Sequence, residues 1–356
     1  MKKIMFTLTI MLTAAALIAA FSSPATAAVS GVCSECHTMH NSQGGGSMRF
    51  DLEVAPLSAL LRGTCLGCHT TSGSDPLADP GTTGSLYPFV MSTVDGFDDN
   101  NCLAGGFFPN TMGIGNNNDN HHGVISTQTN LPAGYAADED MGPGLDWYTG
   151  DTEGNGLACA GSNGCHGVHT VVDDMEAISG GHHDPSGAYR MLYVGNDMAT
   201  DGVAGGSASD YEEDLIATPA LADPHNTYSA GALDPSISEL CAICHGNFHN
   251  ESGGPGTDTG TPSPWLRHPT DVEIPSTWTI GDEGNLLTAS DYKNNPVGYD
   301  NAVDTNQRMA TCLSCHRAHG TQNDDLLRWA YSTQLAGQPE GSEVEYGCLG
   351  CHNKQR

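Results

Sequence analysis

The amino-acid sequence predicts a mainly irregular fold with short α-helices and very little β-sheet. Only 6% of the 356 residues are aromatic and 38% hydrophobic, against 45 Gly and 19 Pro. Such a chain is too poor in apolar side chains to close a conventional core by itself. Residues 71–158 and 251–305 are rich in Gly, Asn, Asp, Pro and Thr, a composition that reads as long loop. Short helices are expected at Leu57–Leu61, Ser238–Cys244 and Asp324–Tyr331, where apolar residues recur at helical spacing. Something other than side chains must fill the interior.

The first residues bear on the compartment. Lys2 and Lys3 are followed by an apolar stretch from Phe6 to Phe21 and by Ala25-Thr26-Ala27, the pattern of a cleaved secretory signal peptide over residues 1–27. The alternative, a membrane anchor, fits less well because Thr7, Thr9 and Thr13 interrupt a run that is already short for a span. The charge is strongly acidic, with 42 Asp and Glu against 12 Lys and Arg and a net charge of −30. That makes nucleic acid and anionic lipid poor partners, and suits solubility or docking to a basic protein. Asp95–Asn100 and Asp138–Asp140 are candidate calcium loops, although neither has helix-loop-helix spacing.

Thirteen cysteines in an exported chain would ordinarily pair as disulfides. Their spacing indicates otherwise. Five times the chain reads Cys-x-x-Cys-His: Cys33/Cys36/His37, Cys65/Cys68/His69, Cys241/Cys244/His245, Cys312/Cys315/His316 and Cys348/Cys351/His352. Two thiols three positions apart on one turn can each bond a porphyrin vinyl group while the next side chain reaches the iron, the attachment pattern of c-type haem. Zinc or dithiol redox chemistry would not require a histidine after every pair. Haem, large and mostly apolar, also supplies the buried surface the side chains lack, so the fold is expected to be templated by haem.

A sixth candidate has a wider spacing. Cys159 and Cys165 are separated by five residues and followed by His166. Gly161 and Gly164 would let that loop bulge so that both sulfurs reach one porphyrin. A Cys159–Cys165 disulfide and attachment through Cys165 alone are the alternatives. Six haems are therefore expected, five of them at regular motifs, and Cys102 is left over as a free thiol, an intermolecular disulfide or a further attachment point.

Ten histidines remain as candidates for the second axial position: His40, His121, His122, His169, His182, His183, His225, His249, His268 and His319. That supply favours bis-histidine over Met/His ligation. His40, His169 and His319 each follow a proximal histidine by three residues, and His249 follows His245 by four. On a helical turn such a residue stays on one face, so it must ligate a neighbouring haem. In His121-His122 and His182-His183 one ligand and one bystander are expected.

The chain divides into a signal peptide (1–27), an N-terminal haem region with a doubled motif and Gly/Asn/Asp-rich loops (28–140), a central haem region (141–260) and a C-terminal haem region with a doubled motif (261–356). Its two ends look like copies of one unit. In each, a motif with the extra histidine is followed by Leu-Leu-Arg (60–62 and 326–328) and then by Cys-Leu-Gly-Cys-His (65–69 and 348–352). By that symmetry, His40 is expected to ligate the haem at Cys65/Cys68 and His319 the haem at Cys348/Cys351.

These doubled motifs, with Cys33-Ser-Glu-Cys-His-Thr-Met-His-Asn-Ser-Gln43, Ser263-Pro-Trp-Leu-Arg-His-Pro-Thr-Asp271 and Cys312-Leu-Ser-Cys-His-Arg-Ala-His-Gly320, resemble the doubled-C-x-x-C-H multihaem cytochromes of metal-reducing and related bacteria. The resemblance implies electron transfer through bis-histidine haems, in the periplasm or at the cell exterior, to redox proteins or extracellular acceptors. Two further readings are a subunit of a conductive cytochrome filament, as some cytochromes of such bacteria form, and a multihaem reductase with one open iron position.

Overall fold

A computed structural model gives the architecture, which is described for residues 32–72, 77–78, 87–92, 105–108, 158–162, 164–183, 189–194, 203, 205–206, 227–228, 235–245, 268–274, 296–299, 308–335 and 347–352. The expected signal peptide, Cys102, both calcium loops, and His121, His122, His225 and His249 lie outside the described residues.

Regular structure is sparse and short, as the composition predicts. The longest described helix is Ile237–His245, nine residues, and the other α-helices are single turns at Cys33–Cys36, Cys65–Cys68, Asp174–Ala177 and Cys348–His352. Strands of two or three residues pair locally; the only described sheet of three strands has Arg308–Ala310 between Val272–Glu273 and Gly298–Tyr299, all antiparallel. No described helix is long and apolar enough to cross a membrane.

The expected helix at 238–244 forms. The other two do not run as helices. Ser58–Leu60 and Asp324–Leu326 are 3-10 turns whose central residues, Ala59 and Asp325, are left-handed (φ 54° and 58°), and Tyr331–Thr333 is a separate turn. Left-handed backbone ends a helix at once, so apolar spacing there reports contacts made from a tight bend.

The apolar cluster formed by the described residues is small. Leu192, Val203, Ile237, Leu240 and Leu313 cluster, with Val194 against them, tying the central region to the fifth motif. Elsewhere buried side chains such as Phe89, Met175 and Trp329 are distributed among the motifs.

Candidate haem sites

Three of the regular motifs are turns closed on the first cysteine, and Cys241–His245 forms the end of the helix Ile237–His245. The amide of His37 donates to the carbonyl of Cys33 (2.9 Å), that of His69 to Cys65 (2.7 Å) and that of His316 to Cys312 (3.0 Å). This geometry carries the two thiols onto one face, as attachment to one porphyrin requires. Caps hold some of the turns: the Thr64 hydroxyl accepts from the Gly67 amide (3.1 Å), and Thr311 with Ser314 forms a capping box. At Gly63 a Cβ would lie 2.8 Å from both Cys68 Sγ and the Phe50 ring, so the chain passes too close to the second thiol for any side chain.

The widened motif reaches the same end by another route. Ala158–Ala160 and Gly164–His166 pair as parallel strands, with Ala158 opposite Gly164 and Ala160 opposite His166. Cys159 and Cys165 are therefore side by side on neighbouring strands, about 4.8 Å apart in backbone spacing, close to the separation of positions i and i+3 on a helical turn. Both stand as thiols. The glycines are essential to the coil: a Cβ on Gly164 would sit 2.6 Å from the Ala160 backbone, and Gly161 takes φ +88° against the Val171 carbonyl.

Three of the motifs share a second element that sequence reading does not reveal. His37, His166 and His316 each form an isolated antiparallel bridge, to Leu61, Leu192 and Leu327. Two residues before each leucine is a left-handed residue, Ala59, Arg190 or Asp325, followed by a second, Leu60, Met191 or Leu326. The imidazole Nδ1 of each histidine lies against the carbonyl of the first: 3.1 Å to Ala59, 2.8 Å to Arg190 and 2.7 Å to Asp325. The next amide along, from Thr38, Gly167 or Arg317, donates to the carbonyl of the second at 2.7, 2.7 and 2.9 Å. A hydrogen bond from Nδ1–H to a backbone carbonyl fixes the ring so that Nε2 is presented to the metal. His69 receives the same treatment from the Pro88 carbonyl (2.7 Å). The central region thus holds a third copy of the clasp recognised in sequence only at the two ends. Its leucine survives, but Tyr193 stands where the others have Arg62 and Arg328. Those arginines reach back to carbonyls of the motif turn, at Ser34 (3.1 Å) and Leu313 (2.7 Å).

Among the described residues, imidazole rings lie opposite one another in four pairs. Centroids are 6.0 Å apart for His37 and His183, 6.4 Å for His69 and His182, 6.4 Å for His166 and His319, and 6.3 Å for His268 and His352. Direct stacking would bring rings closer than this. Two metal–nitrogen bonds of about 2.0 Å, with the offset from nitrogen to ring centre, put centroids about 6.3 Å apart. The separations therefore fit an iron held between each pair, and the interplanar angles of 17° to 76° are twists that such an axis permits. Among the described residues no three His, Cys, Asp or Glu side chains converge as a bare ion would need, which separates this arrangement from a zinc site.

Burial favours the neutral form, the one that binds metal, at His69, His166, His182 and His352. It pushes the His69 and His166 rings below the ordinary imidazole range. His182 falls to about 4, first through burial and then through the charge His69, His183, His166 and His37 would carry beside it. The thiols are neighbours across motifs. Cys65 is raised first by a hydrogen bond with Cys159, and Cys241 first by one with Cys312. Burial drives Cys68 to about 12, with Cys36 next to it, and Cys315 to about 12, with Cys351 and Cys348 beside it. Cys165 in turn acts on Cys241. Each motif thus lies beside the next in sequence, from the first to the sixth.

The distal candidates meet different fates. His182 and His183 both face proximal rings, so the expected bystander is absent. His319 lies opposite His166 instead of His352, and His268 occupies the place opposite His352; His182 occupies the place expected for His40. The Nε2 of His169 bonds the Tyr193 carbonyl (2.7 Å). His40 is exposed, with no ring opposite it among the described residues. His245 lies within electrostatic reach of His316.

Residues 305–356 match the family defined by the doubled CXXCH motif. No curated protein matches. Two solved structures are similar at the level of fold. One, described as the outer membrane cytochrome S filament from Geobacter sulfurreducens, is 21% identical with a TM-score of 0.47, over 86% of this chain and 85% of that one. The other, described as OmcS nanowires from Geobacter sulfurreducens, is 20% identical with a TM-score of 0.46, over 92% and 90%.

Proposed function

We propose that this protein is an exported electron carrier with six covalently attached c-type haems. Cys33/Cys36, Cys65/Cys68, Cys159/Cys165, Cys241/Cys244, Cys312/Cys315 and Cys348/Cys351 are the attachment thiols. His37, His69, His166, His245, His316 and His352 are the proximal ligands, and His183, His182, His319 and His268 complete the first, second, third and sixth sites. Such haems exchange one electron between ferric and ferrous iron with both imidazoles retained. The chain's own residues attach the haems, orient the rings through backbone carbonyls and exclude water. The observation that carries the reading is the set of imidazole pairs at 6.0–6.4 Å, beside attachment thiols that neighbour one another in sequence order. That order gives electrons a path without a gap.

Intact mass of the mature protein tests the site count, with six haem increments expected. Visible spectroscopy tests the chemistry: sharp low-spin bands on reduction and no binding of carbon monoxide. A colourless protein overturns the proposal, and one carbon-monoxide-binding haem per chain would turn it toward a reductase.

Self-association is a second reading, favoured by one exposed segment. Val32, Met39, Leu52, Val54 and Leu60 are 53–85% exposed and come from the segment that also carries exposed His40, an apolar density that marks contact surfaces. Light scattering with electron microscopy of the secreted protein tests it; a monomer at all concentrations rules it out.

A further inference from the structure

The three clasps hold three different charges at one equivalent place. Ala59, Arg190 and Asp325 occupy the same left-handed position (φ 54°, 55° and 58°), and each gives its carbonyl to the Nδ1 of a proximal histidine at 2.7–3.1 Å. The bridge one turn later fixes the register in every copy. The backbone frame is therefore common, while the side chain one residue from the iron ligand is neutral in the first, cationic in the third and anionic in the fifth site.

We propose that this clasp position tunes the reduction potential of its own haem: Arg190 raises that of the haem at Cys159/Cys165, Asp325 lowers that of the haem at Cys312/Cys315, and Ala59 leaves that of the haem at Cys33/Cys36 without an added charge. The inference rests on the haem assignment above. Reduction adds one electron, supplied by a solution mediator, to the iron and makes the site more negative by one charge. A cation held beside the ligand favours that state and an anion opposes it. The shared carbonyl contact matters as much as the charge, because it places the backbone of the clasp residue against the ring in all three copies. Other charges surround the sites. Arg62 and Arg328 stand at equivalent places in the first and last copies and do not distinguish them, Tyr193 stands there in the central copy, and Arg317 and Asp324 add to the fifth site. The natural order of potentials therefore sums several residues, whereas substitution at the clasp isolates one. Arg190 is half-buried, with its guanidinium over the Tyr189 ring at 4.9 Å, and Asp325 is exposed, so the arginine has the larger effect.

The test is a redox titration of the holoprotein resolved by haem-methyl NMR. Arg190→Gln lowers the reduced-to-oxidised ratio of its haem at a fixed potential by about tenfold, equivalent to about 59 mV, and Asp325→Asn raises that of its haem by about threefold. Ala59→Asp is compared with Ala59→Asn. Both residues tolerate left-handed backbone, so any difference between them reports charge alone, and the aspartate lowers the first haem only. Equal shifts at all haems, or no difference between the Ala59 pair, overturn the proposal. Intact mass of the same samples separates the failures: a missing haem condemns the site assignment, whereas six haems with unmoved potentials condemn the tuning position.

Discussion

Replacing His319 with glycine distinguishes the pairing seen in the structure from the one the sequence symmetry suggests. The His319 ring faces His166 at 6.4 Å. Half of that distance, less the offset from ring centre to nitrogen, leaves about 2.1 Å to a midpoint iron, a normal imidazole–metal bond. The substitution therefore opens the haem at Cys159/Cys165, and the haem at Cys348/Cys351 keeps both ligands because His268 faces His352 at 6.3 Å. It also removes the contact of the ring with Phe108, 5.3 Å between centroids, a loss of about 1 kcal/mol that leaves the fold intact. With one haem in six opened, about one sixth of the Soret absorbance should shift when carbon monoxide is added to the reduced protein. Adding Cys159→Ala and Cys165→Ala should abolish the response by removing the responding haem. If carbon monoxide still binds in that triple variant, His319 serves another iron and the pairing is wrong.

Three further outcomes follow from the same geometry. His182→Ala and His183→Ala should each create one carbon-monoxide-binding haem, and the double variant two, since the adjacent side chains face His69 and His37 separately; a single site in the double variant contradicts this. Gly164→Ala should lower the haem count by mass from six to five, because its Cβ would meet the Ala160 backbone at 2.6 Å, whereas Gly46→Ala, whose Cβ meets only the Gln43 carbonyl at 3.8 Å, should not. Burial favours the neutral His182 ring from its ordinary 6.5 down to about 4. The unfolded chain therefore takes up the proton first, and this contribution to stability is complete above pH 6.5 and lost on acidification toward pH 4, about 3 kcal/mol in all. The low-spin spectrum of the second haem should accordingly survive at pH 5, and its loss with a midpoint near 6.5 would show that the ring is not protected.

The attachment chemistry was legible in the sequence because it is local. A Cys-x-x-Cys-His turn needs only five consecutive residues, and the structure closes those at Cys33, Cys65 and Cys312 on the carbonyl of the first cysteine. The near-absence of long helices and strands was legible from composition for a similar reason, since Gly, Pro, Asn and Asp act on their own backbone. Ligand pairing was not. The residues three positions beyond His37, His166 and His316 look equivalent, yet His40 is exposed, His169 bonds the Tyr193 carbonyl and His319 faces His166. Nothing within a few residues of each separates these outcomes; contacts such as that of the His319 amide with the Gly105 carbonyl (2.8 Å) decide them. The clasp was half visible. Leu-Leu-Arg recurs at 60–62 and 326–328, but its central copy reads Met191-Leu192-Tyr193, and two left-handed residues in succession have no composition signature outside Gly and Asn.

Four long connections among the described residues pass through places where an iron fits, beside the direct backbone contacts of residues 105–107 with 319–320. His319 meets His166, His268 meets His352, and the dipeptide His182-His183 faces two rings more than a hundred residues earlier. Among the described residues, a cluster of five apolar side chains with one more against it also ties the central region to the fifth motif. A connection made by metal ligation forms only after the metal has arrived, so a haem-free chain would lack those four ties, and the loop-closure entropy of joining the segments would be offset less. On the proposed ligation, attachment is expected to precede full compaction. The single-turn motifs suit that order, because a five-residue segment closed by one backbone hydrogen bond can present two thiols and a histidine before any tertiary contact exists. The parallel-strand motif at Cys159 and Cys165 is the exception. Its thiols are seven residues apart inclusive and are aligned by strand pairing and two glycines, so its attachment depends on a local fold that the other motifs do not need.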